Sequence, residues 1–215
     1  MKSLKEISKG LDTDKEVHHK YLDLYEDVFS CYQRSHYKNI LEIGIASGDS
    51  LIMWADYFPN AKVDGFDVKM IKNDRVENNP RIETHCVNQK EESELIKASY
   101  MKNYDIIIDD GGHTMEMHQK SIKILFKQLR KGGIYVIEDL HTCNGIFEEL
   151  YGNTIIQEGD TLTTDMLNVL SDLTLKDGYC TNYIDSKEMK SLHNSIEWIE
   201  ILMGTHSEIA FIKKK

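Results

Sequence analysis

The sequence predicts a single α/β domain built around a mostly parallel β-sheet. Short apolar runs of the kind that form buried strands alternate with segments of helical periodicity along most of the chain. Acidic clusters follow two of these runs directly, and the chain closes with two strand-like runs joined by a short turn that contains glycine. At 215 residues the chain is long enough to bury a full hydrophobic core without disulfides or metals as staples.

The individual elements are predicted in chain order from their hydrophobic spacing. An amphipathic helix precedes the first strand, with its apolar face at Val17, Tyr21, Leu24, Tyr25 and Val28. Strands are predicted at residues 38–43, 61–67, 81–87, 104–108 and 133–137, followed by an antiparallel hairpin at 196–202 and 208–212. Helices are predicted at residues 49–58, where Pro59 disfavours continuation, at 91–98, around 122–129, ended by Lys131-Gly-Gly133, and around 166–173.

Composition argues against several classes of partner and location. Aspartate and glutamate outnumber lysine and arginine by 36 to 26, and the only basic cluster is Lys213-Lys-Lys215, so no nucleic-acid partner is expected. The four cysteines are widely spaced, which favours reduced thiols over a disulfide framework or a zinc site. Neither a signal peptide nor an apolar run of membrane-spanning length is present, so we expect a cytoplasmic protein without a membrane partner.

A glycine-containing turn follows the first strand, in the segment Asn39-Ile-Leu-Glu-Ile-Gly-Ile-Ala-Ser-Gly48. Glycines at 44 and 48 allow the backbone to approach a ligand closely. Asp67 ends the next strand about twenty residues later, where an acidic side chain can hold the ribose hydroxyls of a nucleoside. Ser50 is predicted to cap the following helix or to donate to a cofactor carboxylate. The pattern predicts an adenosine-like ligand, and a tight turn without a ligand is the alternative.

Acidic residues follow the fourth and fifth predicted strands, as Asp109-Asp-Gly-Gly-His113 and as Glu138-Asp139. Parallel neighbouring strands end at the same edge of a sheet about 4.8 Å apart, so these side chains should converge. Their mutual repulsion requires a cation, and oxygen ligands suit Mg²⁺. Side chains alternate along a strand, so we expect Asp110 at the metal and Asp109 toward the cofactor. Either Glu138 or Asp139 could instead cap a loop, and His113 is the candidate base.

These features together resemble a class I S-adenosylmethionine-dependent methyltransferase over residues 37–215. The resemblance rests on Glu-x-Gly-x-x-x-Gly after strand one, the acidic end of strand two, and five βα units closed by a hairpin. It implies a Rossmann-like three-layer sandwich with a mostly parallel seven-stranded sheet of order 3-2-1-4-5-7-6, in which strand 7 is antiparallel. Residues 1–36 would then form an amino-terminal helical cap on a single domain of residues 1–215.

Three motifs resemble more narrowly the metal-dependent sugar O-methyltransferases of the macrocin and mycinamicin type. They are Asp109-Asp-Gly-Gly-His113, Val136-Ile-Glu-Asp-Leu-His-Thr142, and Leu11-Asp-Thr-Asp-Lys15 with His19-Lys-Tyr21. The resemblance implies that Asp110, Glu138 and Asp139 bind Mg²⁺ and that His113 is the general base. It implies cofactor contacts from Glu42, Gly44, Gly48, Ser50, Asp67, Asn88, Gln89 and Asp109, although Asn88 replaces the aspartate usual in that family.

The expected activity is S-adenosylmethionine- and Mg²⁺-dependent methylation of a sugar hydroxyl, on a vicinal diol of a deoxyhexose or glycan. A bound cation stabilises the alkoxide form of such a hydroxyl, and a histidine takes its proton. Alternatives are a catechol or polyketide acceptor, or a non-catalytic cofactor-binding module. A nicotinamide-dependent oxidoreductase would need Gly-x-Gly-x-x-Gly, but Ala46 and Leu51 occupy two of the positions. The sequence leaves open homo-oligomerisation and whether His141, Tyr21 or Tyr25 contacts the acceptor.

Overall fold

The computed structural model describes residues 1–31, 33–143 and 159–215. Seven strands in these ranges form one sheet of order β3-β2-β1-β4-β5-β7-β6. Strands β1 to β5 pair in parallel, and β7 is antiparallel to both β5 and β6. The predicted fold class and strand order are therefore confirmed. The strands are β1 Asn39–Ile43, β2 Lys62–Asp67, β3 Ile82–Cys86, β4 Tyr104–Asp109, β5 Leu129–Ile137, β6 Ile196–Met203 and β7 Glu208–Lys214.

Helices cover both faces of the sheet. They are α1 Leu4–Ile7, α2 Asp14–Val17, α3 Tyr21–Ser30, α4 Asp49–Tyr57, α5 Asp74–Glu77, α6 Glu92–Ala98, α7 Met115–Leu125, α8 Thr163–Ser171 and α9 Ser186–Ser195. Short 3₁₀ turns lie at Arg34–His36, Phe126–Gln128 and Leu140–Cys143. The longest helix in the described ranges has 11 residues, too few to cross a bilayer.

Two hydrophobic clusters lie on opposite faces of the sheet, because successive strand side chains point to opposite sides. One cluster contains Leu41, Ile107 and Tyr135 with side chains of α7, α8 and α9. The other contains Ile40, Ile106 and Val136 with aromatic side chains of α3 and α4. The central strands β1 and β4 are buried almost throughout, which explains why they appear in sequence as continuous apolar runs.

The predicted amino-terminal helix is interrupted. Lys20 has a left-handed backbone with φ of 60° and separates α2 from α3. Val17 is 71% exposed, so its helical spacing from Tyr21 does not place it on a buried face. Tyr21 and Tyr25 are completely buried on α3, as expected for core residues, but both hydroxyls reach the site described below.

Strand β5 begins earlier than predicted. Helix α7 ends at Leu125, and Leu129, which was expected on the helical face, is the first residue of the strand. The segment Lys131-Gly-Gly133 lies inside β5, where the pairing with β4 shifts register. A Cβ on Gly133 would lie 2.9 Å from the Asp105 carbonyl oxygen, so glycine permits the close approach of these two strands.

Candidate active site

The turns that follow β1, β4 and β5 meet at one edge of the sheet. In the strand register Ile43 pairs with Asp109, and Asp109 pairs with Ile137. Backbone hydrogen bonds continue past the strand ends, from Asp110 N to the Ile43 carbonyl at 2.9 Å and from Glu138 N to the Asp109 carbonyl at 3.0 Å. The predicted convergence of the acidic turns is therefore confirmed.

A cavity of about 490 Å³ opens at this edge. Its walls are the segment 12–15, the turn after β1, Ser50, Asp67, Asp110, Gly111 and His113. A second cavity of about 380 Å³ lies beside it, with Val68, Val87 and Met117 among its mainly apolar walls. Asn88 and Gln89 also line it. Both cavities are lined by Gly44, Asp67 and Gly111, so these three residues lie where the two compartments join.

Gly44 is required by the packing of the turn. Its φ is +78°, and an added Cβ would lie 1.9 Å from the Asp110 carbonyl oxygen. Asp67 is fixed by backbone donors, since Ile45 N donates to Oδ2 at 3.0 Å and Lys69 N donates to Oδ1 at 3.1 Å. Gly48 also has a left-handed backbone, with φ of +84°, immediately before α4. The structure thus brings Gly44, Ser50 and Asp67 to the cavity walls. Gly48 lines neither cavity, because it faces the side chains of Ile71 and Val76.

Gln89 and Asp109 support the next turn rather than offering free groups to a ligand. The Gln89 amide donates to Asp109 Oδ1 at 2.7 Å and to Ser121 Oγ at 2.9 Å, while its oxygen accepts from Gly112 N at 3.0 Å. Asp109 is completely buried, and burial raises its pKa to about 7. The expectation that Asp109 faces the cofactor is not met, because its carboxylate is buried against Gln89 and Tyr135 and lines neither cavity.

Lys15, for which the sequence predicted no role, lies at the centre of the acidic cluster. Its ammonium is 2.5 Å from Asp110 Oδ2, 2.7 Å from Glu138 Oε1 and 3.2 Å from Glu42 Oε1. Burial opposes its charge, but these carboxylates hold the pKa of Lys15 well above its ordinary value. Tyr25 also donates to Glu138 Oε1, at 2.5 Å.

Glu42 lies behind the cavity wall and not on it. Ser50 donates to its Oε2 at 2.7 Å, and the residue is completely buried. Burial raises the pKa of Glu42, although the neighbouring Lys15 opposes this shift. Its contacts in the structure are therefore with Ser50 and Lys15, and a direct cofactor contact is not part of this geometry.

Imidazoles surround Asp139 on the outer side of the cluster. His113 Nε2 is 3.7 Å from Asp139 Oδ2, and His19 Nδ1 and His141 Nδ1 are 3.7 Å and 4.0 Å from Oδ1. The Tyr21 hydroxyl donates to Oδ1 at 2.9 Å. Burial alone would raise the pKa of Asp139, but the imidazoles and this hydroxyl hold it below its ordinary value.

Among the described residues, one group of side chains at this edge could bind a metal ion. Ligand atoms of Asp110, His113 and Asp139 lie within 4.8 Å of one another. Glu138, the other predicted ligand, presents Oε1 to Lys15 and Tyr25. Lys15 and His19 were not predicted as members of the site. Both belong to the amino-terminal motif Leu11-Asp-Thr-Asp-Lys15 with His19-Lys-Tyr21, and that motif is the signal that could have identified them.

Two residues of the acidic cluster have strained backbones. His113 and Asp139 both have left-handed φ angles, 54° and 58°, which are rare for residues other than glycine. The Thr142 hydroxyl lies 2.9 Å from the His113 carbonyl oxygen and 3.0 Å from that of Asp139. Such conformations persist only where the surroundings enforce them, and they concentrate at functional sites.

Comparisons with known proteins agree with this geometry, although no family model matches the chain. A tetracenomycin-C rhamnosyl 3'-O-methyltransferase of Streptomyces olivaceus is 34% identical over 167 residues, which are 72% of this chain and 40% of that protein. Mycinamicin VI 2''-O-methyltransferase of Micromonospora griseorubida is 34% identical over 132 residues, 58% of this chain and 32% of that one. The chain thus spans less than half the length of these curated relatives.

A solved structure extends the comparison over the whole fold. MycE methyltransferase in complex with Mg, SAH and mycinamycin VI superposes with a TM-score of 0.75 at 25% identity, over 99% of this chain and 54% of that chain. A second crystal form with Mg and SAH gives a TM-score of 0.76 at 26% identity. The chain is a class I methyltransferase by fold and a homologue of the macrolide-sugar O-methyltransferases.

Proposed function

We propose that the chain is an S-adenosylmethionine- and Mg²⁺-dependent O-methyltransferase that methylates a sugar hydroxyl within a vicinal diol. One observation carries the proposal: the cavity that Asp67 shares with an apolar compartment also contains Asp110 and His113, next to Asp139. A nucleoside cofactor and a metal-bound acceptor would therefore meet in one place. The relatives named above act on sugars attached to polyketides and macrolides.

The two cavities suit the parts of S-adenosylmethionine. The apolar compartment, lined by Val68, Val87 and Met117, fits an adenine ring. Asp67 at the junction is placed to accept from the ribose hydroxyls. The other compartment, with the turn after β1 and Ser50 at the start of α4, would hold the methionine part, since a helix amino terminus favours a carboxylate. The solved structures of MycE contain SAH, which supports an S-adenosyl ligand for this fold.

The charge of the cluster fits a divalent cation. Glu42, Asp110, Glu138 and Asp139 bring four carboxylates together, and one ammonium, that of Lys15, lies among them. Hard oxygen ligands of this kind suit Mg²⁺. We assign Asp110 and Asp139 as ligands, with Glu138 contributing the oxygen that Lys15 and Tyr25 do not hold. When bound, the ion supplies Lewis-acid stabilisation of an acceptor alkoxide.

We infer that His113 takes the acceptor proton. It lines the cofactor cavity, and its Nε2 lies 3.7 Å from Asp139 Oδ2. The carboxylate stabilises the imidazolium that forms when the ring accepts a proton. Its Nδ1 is buried without a hydrogen-bond partner among the described residues, which leaves Nε2 as the nitrogen beside the acidic cluster.

The remaining assignments extend the same proposal. Residues 1–215 act as one methyltransferase domain, in which residues 1–36 form an amino-terminal cap that lines part of the cofactor cavity. The acceptor is a small molecule or a glycan, since the net charge of −10 disfavours a nucleic acid.

A methyl-transfer screen tests the proposal. Labelled S-adenosylmethionine is offered with free deoxyhexoses, their glycosides and nucleotide sugars, each with Mg²⁺ and with excess EDTA. Mg²⁺-dependent transfer to a sugar with adjacent free hydroxyls is expected. Transfer to catechols alone would favour a non-sugar acceptor. Calorimetric binding of S-adenosylhomocysteine without transfer to any acceptor would favour a non-catalytic binding module.

A further inference from the structure

Lys15 is completely buried, although lysine is among the residues found least often inside proteins. Its ammonium has three donors, and three carboxylate oxygens lie within 3.2 Å of it, one each from Glu42, Asp110 and Glu138. A charge buried in this way is tolerated only when it is paired and hydrogen-bonded. The lysine is thus built into the acidic cluster and is not a surface residue that reaches it by chance.

The ammonium contacts one oxygen on each of two proposed metal ligands. It holds Oδ2 of Asp110 and Oε1 of Glu138, and Tyr25 donates to the same Glu138 oxygen. A carboxylate with one oxygen fixed in this way has a defined orientation for the other. Lys15 therefore determines which oxygens of Asp110 and Glu138 are available on the side of Asp139 and His113.

The same residue belongs to the wall of the cofactor cavity. Residues 12–15 line that cavity, and Asp12 is attached to the turn after β1. Its backbone N donates to Asp49 Oδ2 at 2.8 Å, and its carbonyl accepts from Ser47 Oγ at 3.4 Å. Lys15 ties this wall directly to the acidic cluster.

We propose that Lys15 is a positioning residue of the methyl-transfer site, a built-in cation that occupies the inner part of the acidic cluster. It fixes one oxygen each of Asp110 and Glu138, and it confines an exchangeable divalent ion to the outer part, beside Asp139 and His113. The inference rests on the proposed function, and it adds a residue that touches neither the acceptor nor the transferred methyl group.

This arrangement predicts that Lys15 weakens the binding of the divalent ion. A fixed ammonium that shares ligands with a divalent ion repels it, and at such separations the repulsion changes a dissociation constant by about tenfold or more. Removing the charge should tighten metal binding. Turnover should fall at the same time, because Asp110 and Glu138 lose their fixed orientation. A lysine that only supported the fold would, when replaced, loosen the site and weaken metal binding.

The experiment measures Mn²⁺ dissociation constants by the electron paramagnetic resonance signal of the free ion, together with kcat and KM. Lys15→Met is compared with wild type and with Lys5→Met, which removes an exposed lysine paired with Asp23. Circular dichroism and thermal unfolding establish that each variant is folded. For Lys15→Met we expect Mn²⁺ affinity to rise at least about tenfold and kcat to fall at least about 100-fold, with both values unchanged in Lys5→Met.

Chemical rescue and a compensated variant complete the test. In Lys15→Ala, n-propylammonium should restore turnover and weaken Mn²⁺ binding again, whereas sodium at equal ionic strength should do neither. If Lys15→Met does not fold, Lys15→Met with Glu42→Gln is compared with Glu42→Gln alone, and the same increase in affinity is expected.

Mn²⁺ affinity that is unchanged or weaker in the folded Lys15 variant overturns this inference, whatever happens to turnover. Wild-type protein that binds no Mn²⁺ overturns the proposed metal-dependent function and the role of Lys15 with it. The two failures are therefore distinguishable in one set of titrations.

Discussion

Replacing Gly44 by alanine should break the contact between the turns after β1 and β4. The added Cβ would lie 1.9 Å from the Asp110 carbonyl oxygen and 2.7 Å from the Gly111 Cα, both backbone atoms that cannot rotate away. The two turns must therefore separate. That separation would weaken two backbone hydrogen bonds at this junction. One runs from Gly44 N to the Phe66 carbonyl, and the other from Asp110 N to the Ile43 carbonyl.

The size of the effect follows from two contributions. An L-residue at the left-handed φ of Gly44, +78°, costs about 1–2 kcal/mol. Weakening the two hydrogen bonds costs about 1 kcal/mol each. Gly132→Ala is a matched control, since Gly132 has φ of +72° but no atom within 4 Å of the added Cβ. Gly44→Ala should therefore lower the free energy of unfolding by about 2 kcal/mol more than Gly132→Ala does.

Urea unfolding followed by far-UV circular dichroism measures this difference, and calorimetry with S-adenosylhomocysteine measures its consequence for binding. Gly44→Ala should weaken binding at least about tenfold, because Gly44 lies where the two cavities join. Gly132→Ala should bind as wild type. The reasoning is refuted if the two variants are equally stable and Gly44→Ala binds the ligand with wild-type affinity.

Three further predictions concern single side chains. His113→Gln should lower turnover by about two to four orders of magnitude while cofactor affinity stays near wild type, and retention of more than about a tenth of turnover would assign proton removal to another group. Asp110→Asn should abolish Mg²⁺-dependent activity while the fold survives, because Lys15 keeps two other carboxylates; full turnover in excess EDTA would contradict a metal role. Burial lowers the pKa of His118 from 6.5 to about 3, so its contribution to stability is complete above pH 6.5 and is lost as pH falls toward 3, by up to about 1.4 kcal/mol per unit. In urea unfolding, the free energy of unfolding of His118→Gln should change less between pH 7 and pH 5 than that of wild type. An equal change in both proteins would assign the pH dependence to other groups.

The sheet could be predicted from sequence because its central strands are buried on both faces. Strand β4 was predicted at residues 104–108 and extends over Tyr104–Asp109, and β1 and β2 each begin one residue later than expected. The predicted start of β5 was wrong for a physical reason. Leu129 continues the helical spacing of α7, and only the pairing with Tyr104 makes it a strand residue.

Helix prediction failed where local signals conflicted with tertiary structure or were overlooked. The spacing of Val17 and Tyr21 suggested one helix, but the left-handed backbone at Lys20 divides it. Helix α9 was not predicted, although Asp185-Ser-Lys-Glu188 is the sequence signature of a capping box and forms one in the structure. That element could have been identified from its local sequence.

The acidic residues of the cluster could be predicted from the strand pattern of the sequence, but the lysine among them could not. Asp110, His113 and Asp139 directly follow predicted strands, so the rule that parallel strands end at one edge was sufficient to bring them together. Lys15 meets Asp110 and Glu138 across 95 and 123 residues of chain. Hydrophobic periodicity carries no information about such a contact, and a lone lysine is ordinarily interpreted as a solvated residue.

The position of Asp109 shows how a residue can matter to the site without facing it. Alternation along β4 turns its carboxylate inward, where it accepts from Gln89, and Gln89 in turn accepts from Gly112 N. This chain of hydrogen bonds fixes the turn that gives His113 its left-handed backbone, while Thr142 binds the His113 carbonyl from the other side. Each strained residue costs about 1–3 kcal/mol, which the buried network offsets. The left-handed backbones of His113 and Asp139 are therefore maintained by the buried groups that bond to their turns, and these groups keep the imidazole 3.7 Å from the Asp139 carboxylate.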